Sequence, residues 1–405
     1  MSLLTSLLVL IVVARLLGQI FQRFNQPAIV GEMLAGIFLG PSVLNLIQAN
    51  TALAGISELA IFLVVLSAGL EMNFKDILNA LRGRGVVIAV LGFIIPLAGG
   101  ILVGTAFQLD VMRTVFLGLC VSITALPVTV RILQSFNLLD SDIARYSVAT
   151  AILNDVVALL ALGAILNLPE HRSFHSVGIS IISTSWKLIA LGSFILGCNW
   201  FLKKLVERGV HLKKISERIV NLLGNEALFG ILVLFVLAFG SISEALGFHF
   251  VIGAFFGALL IDRKYFFPSR YNELDHTLRS VSEGFLAPVF FAYLGLEFNI
   301  FAMKPYGFVI TVLAVSIGSK ILAGWLGGIL IQLSHTRSLG IGIILNGRGV
   351  MELVIANIAY ERGFIGQDLF STLVLMGVVT TIITPLLFRK LIIPKLEADG
   401  RSEVS

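Results

Sequence analysis

Charge is what this chain of 405 residues has least of. Asp, Glu, Lys and Arg together make up 13% of it, while apolar residues make up 57%. Soluble domains carry about 25% charged residues, and half that share cannot cover a surface facing water. Soluble enzymes and nucleic-acid binders are thereby excluded. Cysteine is nearly absent as well. Cys120 and Cys198 both lie in apolar runs, so neither a disulfide framework nor a Cys/His metal cluster is available. Paired catalytic carboxylates, a zinc motif and a Ser/Lys dyad are also missing. That speaks against an intramembrane enzyme, and no cofactor is expected. A basic leader with a small-residue cleavage site is lacking too: Met1-Ser2-Leu3 runs straight into an apolar stretch, so the first segment is expected to be retained as a span. The net charge of +5 sits in loops between apolar runs and is no sign of a DNA partner.

What is abundant is long apolar runs. A helix crossing hydrocarbon needs about 20 mostly apolar residues, because lipid offers free backbone groups no partner. Such runs lie at 3–21, 27–47, 54–72, 85–107, 113–135, 142–166, 177–202, 220–240, 242–261, 278–298, 305–332, 336–360 and 367–388. They predict an all-α polytopic membrane protein of about 13 transmembrane helices in a lipid bilayer. Of the 29 Lys and Arg residues, 21 fall in one set of alternating loops and five in the other. Positive charge stays on the cytoplasmic side. The expectation is therefore an odd number of spans, with the N-terminus outside and the C-terminus in the cytoplasm.

The chain also resembles itself. Span three ends Ala68-Gly69-Leu70-Glu71-Met72-Asn73, and span ten ends Leu294-Gly295-Leu296-Glu297-Phe298-Asn299. Span two reads Val30-Gly31-Glu32-Met33-Leu34-Ala35-Gly36, and span nine reads Ile252-Gly253-Ala254-Phe255-Phe256-Gly257-Ala258. Both matched pairs stand seven spans apart, and seven is odd, so the second copy is expected upside down. The expected organisation is a first repeat over 1–176 and a linker span with a basic cytoplasmic loop over 177–219. An inverted second repeat over 220–390 and a short cytoplasmic tail over 391–405 follow. Inverted repeats mark transporters whose site lies at mid-membrane where broken helices meet.

Ionisable groups at mid-depth cost about 2.5–3.5 kcal/mol on insertion scales and are mostly functional. Asp155 lies mid-span six beside Asn154, Lys320 lies mid-span eleven, and Arg348 lies mid-span twelve. Span five is interrupted by Thr124-Ala125-Leu126-Pro127, since proline removes a helical donor, and span twelve by Gly347-Arg348-Gly349. Two such breaks facing each other would surround one site with free carbonyls and helix-dipole ends. A mid-membrane acid can hold a proton or yield it to a hard cation that wants oxygen ligands, with Thr124 completing the shell. The structural alternative is that Asp155 only neutralises Lys320 or converging helix N-termini. Lys320 itself reads equally as charge partner, dipole counterion or proton relay. Arg348 and Glu352, four apart, read as a self-paired support of the break, and His249 as a satisfied core histidine.

The Asn154-Asp155 pair, the Thr124–Pro127 break, Lys320 and Gly69-Leu70-Glu71 together resemble the monovalent cation:proton antiporter superfamily. The likeness is to its second family, of bacterial sodium/proton antiporters and the membrane domains of potassium-efflux systems. It runs from the first span to the last. The resemblance implies two inverted six-helix repeats, crossing broken helices in a core domain that moves like an elevator, a dimerisation domain and a homodimer. It implies Na⁺ or K⁺ exchanged for H⁺ at Asp155 in a bacterial inner membrane. It also implies that Lys320 stands where electrogenic members carry an ion-pairing lysine. Electroneutral members carry Asn in place of the first acid, as here, but typically an arginine at the Lys320 position and a span-three glutamate where Ser67 aligns. Glu71 is the nearest acid on that span. One titrating carboxylate argues for one proton per cation, and a titrating Lys320 would add a second. The nucleotide-binding regulatory domain of potassium-efflux relatives is expected to be missing or removed. A potassium pathway without proton coupling and an organic-anion transporter of the same fold stay open as alternatives.

Overall fold

The computed structural model describes residues 2–24, 26–72, 83–166, 174–208, 212–303 and 305–396. Lys75, Arg82, Arg172, Lys304 and Arg401, counted above for orientation, lie outside the described residues, as does tail segment 397–405. The described residues are helical with short connections. Nine helices among them are long and apolar enough to cross a membrane.

The expectation of thirteen differs from nine for identifiable reasons. Span two shortens to Ala28–Leu39 because Gly40 caps the helix and Pro41 follows. Span nine shortens to Phe250–Leu259, since Gly247 turns the chain at φ 85° and the His249 side chain caps the helix by accepting from the Val251 amide. Span ten starts early, with Pro268 in the first turn of Pro268–Val281. It passes through a π-helical turn at Ser282–Leu286 into Ala287–Glu297. Span twelve is two half-helices, His335–Ile344 and Val350–Glu361. Span five is also split, into Val111–Ser122 and Leu126–Ser135, but taken together as Val111–Ser135 it still counts among the nine.

The chain forms two compact units, each assembled from separate stretches. One comprises Met1–Glu58, Asp76–Ala158 and Pro288–Ser405; the other comprises Leu59–Lys75 and Leu159–Ala287. Small residues decide the helix crossings in both. In the first unit a Cβ on Gly36 would stand 1.9 Å from the Ala292 carbonyl oxygen, and one on Gly295 would stand 2.2 Å from that of Met33. In the second unit a Cβ on Gly69 would meet Ala258 Cβ at 2.7 Å. Positions 36 and 258 are partners in the sequence repeat, as are 295 and 69, so the same crossing is built twice.

The recurrence is more detailed around the split helices. After Gly85–Ala106 the chain turns through Gln108 at φ 57°, with Leu109 N–H donating to Gly104 O; after Tyr306–Leu330 it turns through Gln332 at φ 67°, with Leu333 N–H donating to Gly328 O. Each turn is followed by a side-chain cap, Asp110 accepting from Arg113 N–H and Ser334 from Arg337 N–H. A Cβ on Gly100 would meet Gly118 Cα at 2.6 Å, and one on Gly324 would meet Gly342 Cα at 2.3 Å. All these pairs keep one constant separation along the chain.

Candidate functional site where two helix breaks cross

The site grows from four helix ends. Val111–Ser122 stops short of an extended strip, Ile123–Ala125, and Leu126–Ser135 starts afresh with Pro127 in its first turn, where a missing N–H costs nothing. His335–Ile344 stops similarly, and Val350–Glu361 starts after Gly349. The strips touch. Ala125 N–H donates to Gly347 O at 2.9 Å, and the Thr124 hydroxyl donates to Leu345 O at 2.9 Å. A Cβ on Gly349 would lie 2.9 Å from Ala125 Cβ, so glycine is what lets the backbones meet.

A helix end leaves carbonyls without partners, and lipid supplies none. Here cationic side chains supply them. Arg348, 1% exposed, donates through Nη1 to Cys120 O and through Nη2 to Val121 O at 2.9 Å. Lys320, fully buried, donates to Ser122 O, to Thr124 Oγ1 at 2.7 Å and to Gly92 O at 3.1 Å. Asn154 Nδ2 adds a bond to Ser122 O at 3.3 Å. Two positive charges thus stand at the negative end of the Val111–Ser122 dipole. The Arg348 carbonyl accepts in turn from the Thr381 hydroxyl at 3.1 Å.

The acids are placed differently. Asp155 is 3% exposed and interacts electrostatically with Lys320, yet none of the three lysine hydrogen bonds goes to it. Its Oδ1 has no hydrogen-bond partner among the described residues. Glu352, fully buried in the first turn of its half-helix, lies 3.5 Å from Arg348 Nη1, and neither of its oxygens receives a hydrogen bond. Among the described residues no cluster of three or more His, Cys, Asp or Glu could hold a metal ion. What is offered instead is a buried carboxylate, Asp155, with one oxygen that no described residue hydrogen-bonds.

Asp155, Asn154, Thr124, Lys320, Pro127, Gly347, Arg348, Gly349 and Glu352 all belong to the first unit. Ser67 and Glu71 belong to the second, where Ser67 is buried and Glu71 pairs with Arg279 at 3.1 Å. Sequence reasoning missed Gly92 and Ser122, whose contributions are carbonyls. A signal for one of them was visible: Pro96 lies inside an apolar span, four residues beyond Gly92.

A model of the sodium/hydrogen exchanger transmembrane family matches residues 7–391. A protein of Enterococcus hirae named Na(+)/H(+) antiporter is 26% identical over 95% of this chain and 97% of its own. The Na(+)/H(+)-K(+) antiporter GerN of Bacillus cereus is 24% identical over 92% and 91%. The solved sodium proton antiporter MjNhaP1 of Methanocaldococcus jannaschii is 17% identical, covers 96% of this chain and 97% of its own, and superposes with a TM-score of 0.68. That likeness concerns the fold.

Proposed function

The chain belongs to the sodium/hydrogen exchanger family, and from that premise we propose that Asp155 is the one site through which a monovalent cation and a proton are exchanged. The protein is an integral membrane cation:proton antiporter. The observation that carries the site is a buried carboxylate with an unpartnered oxygen, on a helix whose Asn154 reaches the end of a broken one. Thr124, which donates once and accepts once, keeps a second lone pair free for the cation. Asn154 orients the site. Pro127, Gly347, Arg348, Gly349 and Glu352 hold the crossing open. Na⁺ or K⁺ serves as cargo, and Ser67 and Glu71 are assigned to the path on the second unit.

Lys320 we read as a fixed ammonium. An –NH₃⁺ group has three donors and no acceptor, and all three donors are engaged by neutral oxygens. That favours one proton per cation. The repeat is read as inverted, 1–176 with 220–390 around the connector 177–219, supported by the crossings at Gly36 and Gly69 and the twin turns at Gln108 and Gln332. Elevator-type alternating access, a homodimer, an outer N-terminus and a bacterial inner membrane complete the proposal.

Proteoliposomes holding a pH-sensitive dye test it. Addition of Na⁺ or K⁺ should move protons, and Asp155→Asn should abolish the signal while the protein stays monodisperse. A cation flux that never moves protons at any pH would establish an uncoupled pathway instead.

A further inference from the structure

The Gly85–Ala106 helix is unbroken although Pro96 lies inside it. A proline within a helix lacks the N–H that would bond the carbonyl four residues back, which here is Gly92. That carbonyl is used: Lys320 Nζ donates to it at 3.1 Å. Gly92 also stands where the site needs it, since a Cβ there would meet Thr150 Cγ2 at 3.2 Å and Leu345 Cδ1 at 3.4 Å. Thr150 lies on the Asp155 helix, and Leu345 opens the second break. The constant separation that pairs Gly100 with Gly324 and Gln108 with Gln332 also pairs Pro96 with Lys320. One copy of the repeat carries the proline that opens an acceptor at the position where the other copy carries the donor that fills it.

We propose that Pro96 is a positioning residue for the exchange reaction: by denying Gly92 its helical donor, it holds the Lys320 ammonium on neutral oxygens and keeps Asp155 open to the cation. With an N–H at position 96, the Gly92 carbonyl is shared with the helical ladder, which weakens its hold on Lys320 and frees that ammonium donor part of the time. The freed donor turns to the electrostatic neighbour it already has, the Asp155 carboxylate with its unpartnered oxygen. A lysine on Asp155 competes with the cation, so binding suffers and turnover at saturation does not.

The inference rests on Asp155 as the exchange site, and its test is chosen to fail separately. Pro96→Ala and Pro96→Val both restore the N–H and a helical hydrogen bond, which favours folding. Each should raise the cation KM about tenfold, the size of one charge-assisted hydrogen bond, with kcat nearly unchanged. In a Lys320→Gln background the same substitutions should leave KM where Lys320→Gln alone puts it, because the competing charge is gone. An equal KM change in both backgrounds would reduce Pro96 to a structural kink and overturn the proposal, as would an unchanged KM in the single variants. If instead Asp155→Asn kept exchange intact, the reading of the site would fall first.

Discussion

Two arginines, one in each unit, do opposite things. In the second, Arg279 is 39% exposed and gathers three carboxylates: Glu71 at 3.1 Å, Asp275 at 3.0 Å and Glu283 at 3.2 Å. In the first, Arg348 and Lys320 are buried, and their hydrogen bonds go to carbonyls and a hydroxyl, with Glu352 at 3.5 Å from Arg348 and not hydrogen-bonded to it. Near water an ion pair is cheap to make and adds little. In the hydrocarbon interior, the carbonyls of an interrupted helix must be satisfied anyway, and a cation satisfies several at once. Spending the cations on backbone leaves Asp155 Oδ1 without a hydrogen bond, while Glu352 stays 3.5 Å from Arg348; an oxygen left free in this way is what the proposed exchange requires.

The comparison breaks most visibly at its extreme. Asp155→Asn should eliminate exchange altogether without loss of folded protein, read by dye quenching beside size-exclusion chromatography; residual exchange at the parent rate would move the site elsewhere. Next in size, Arg348→Leu strands Glu352 and two carbonyls, and should cost about 3–5 kcal/mol of stability, as removal of one partner of a buried pair does. Adding Glu352→Leu should recover part of that loss in thermal unfolding, and a double variant no more stable than the single would show that the carbonyls, not the acid, dominate. A smaller effect is expected from Gly349→Ala, whose new Cβ would press on Ala125 at 2.9 Å; overpacking of this kind costs about 1–3 kcal/mol. Smallest should be Arg279→Ala, at no more than about 1 kcal/mol with exchange retained. Loss of transport in Arg279→Ala would erase the contrast between the two arginines.

Much of the scaffold was legible because apolar length and proline or glycine punctuation are local properties. The span at 142–166 coincides with Asp142–Leu166, and the interruption at Thr124–Pro127 lies where the helix stops. Arg348 and Glu352 lie close on their spacing of four. Thr124 was less legible: its hydroxyl was expected to ligate a cation, and in the structure it accepts from Lys320 and donates to Leu345 O. The recurrence of Gly100, Gly104 and Arg113 as Gly324, Gly328 and Arg337 is present in the sequence, outside the segments that pair span two with nine and span three with ten.

What the order of residues determined alone is a membrane-embedded helical chain with few mid-depth charges and two interruptions, since each follows from the side chains of one segment. Which oxygens receive the three Lys320 protons was decided only by tertiary structure. Gly92 O and Ser122 O are backbone atoms, identical in every residue, and they become acceptors only when a missing proline donor and a helix end are brought within reach of one side chain.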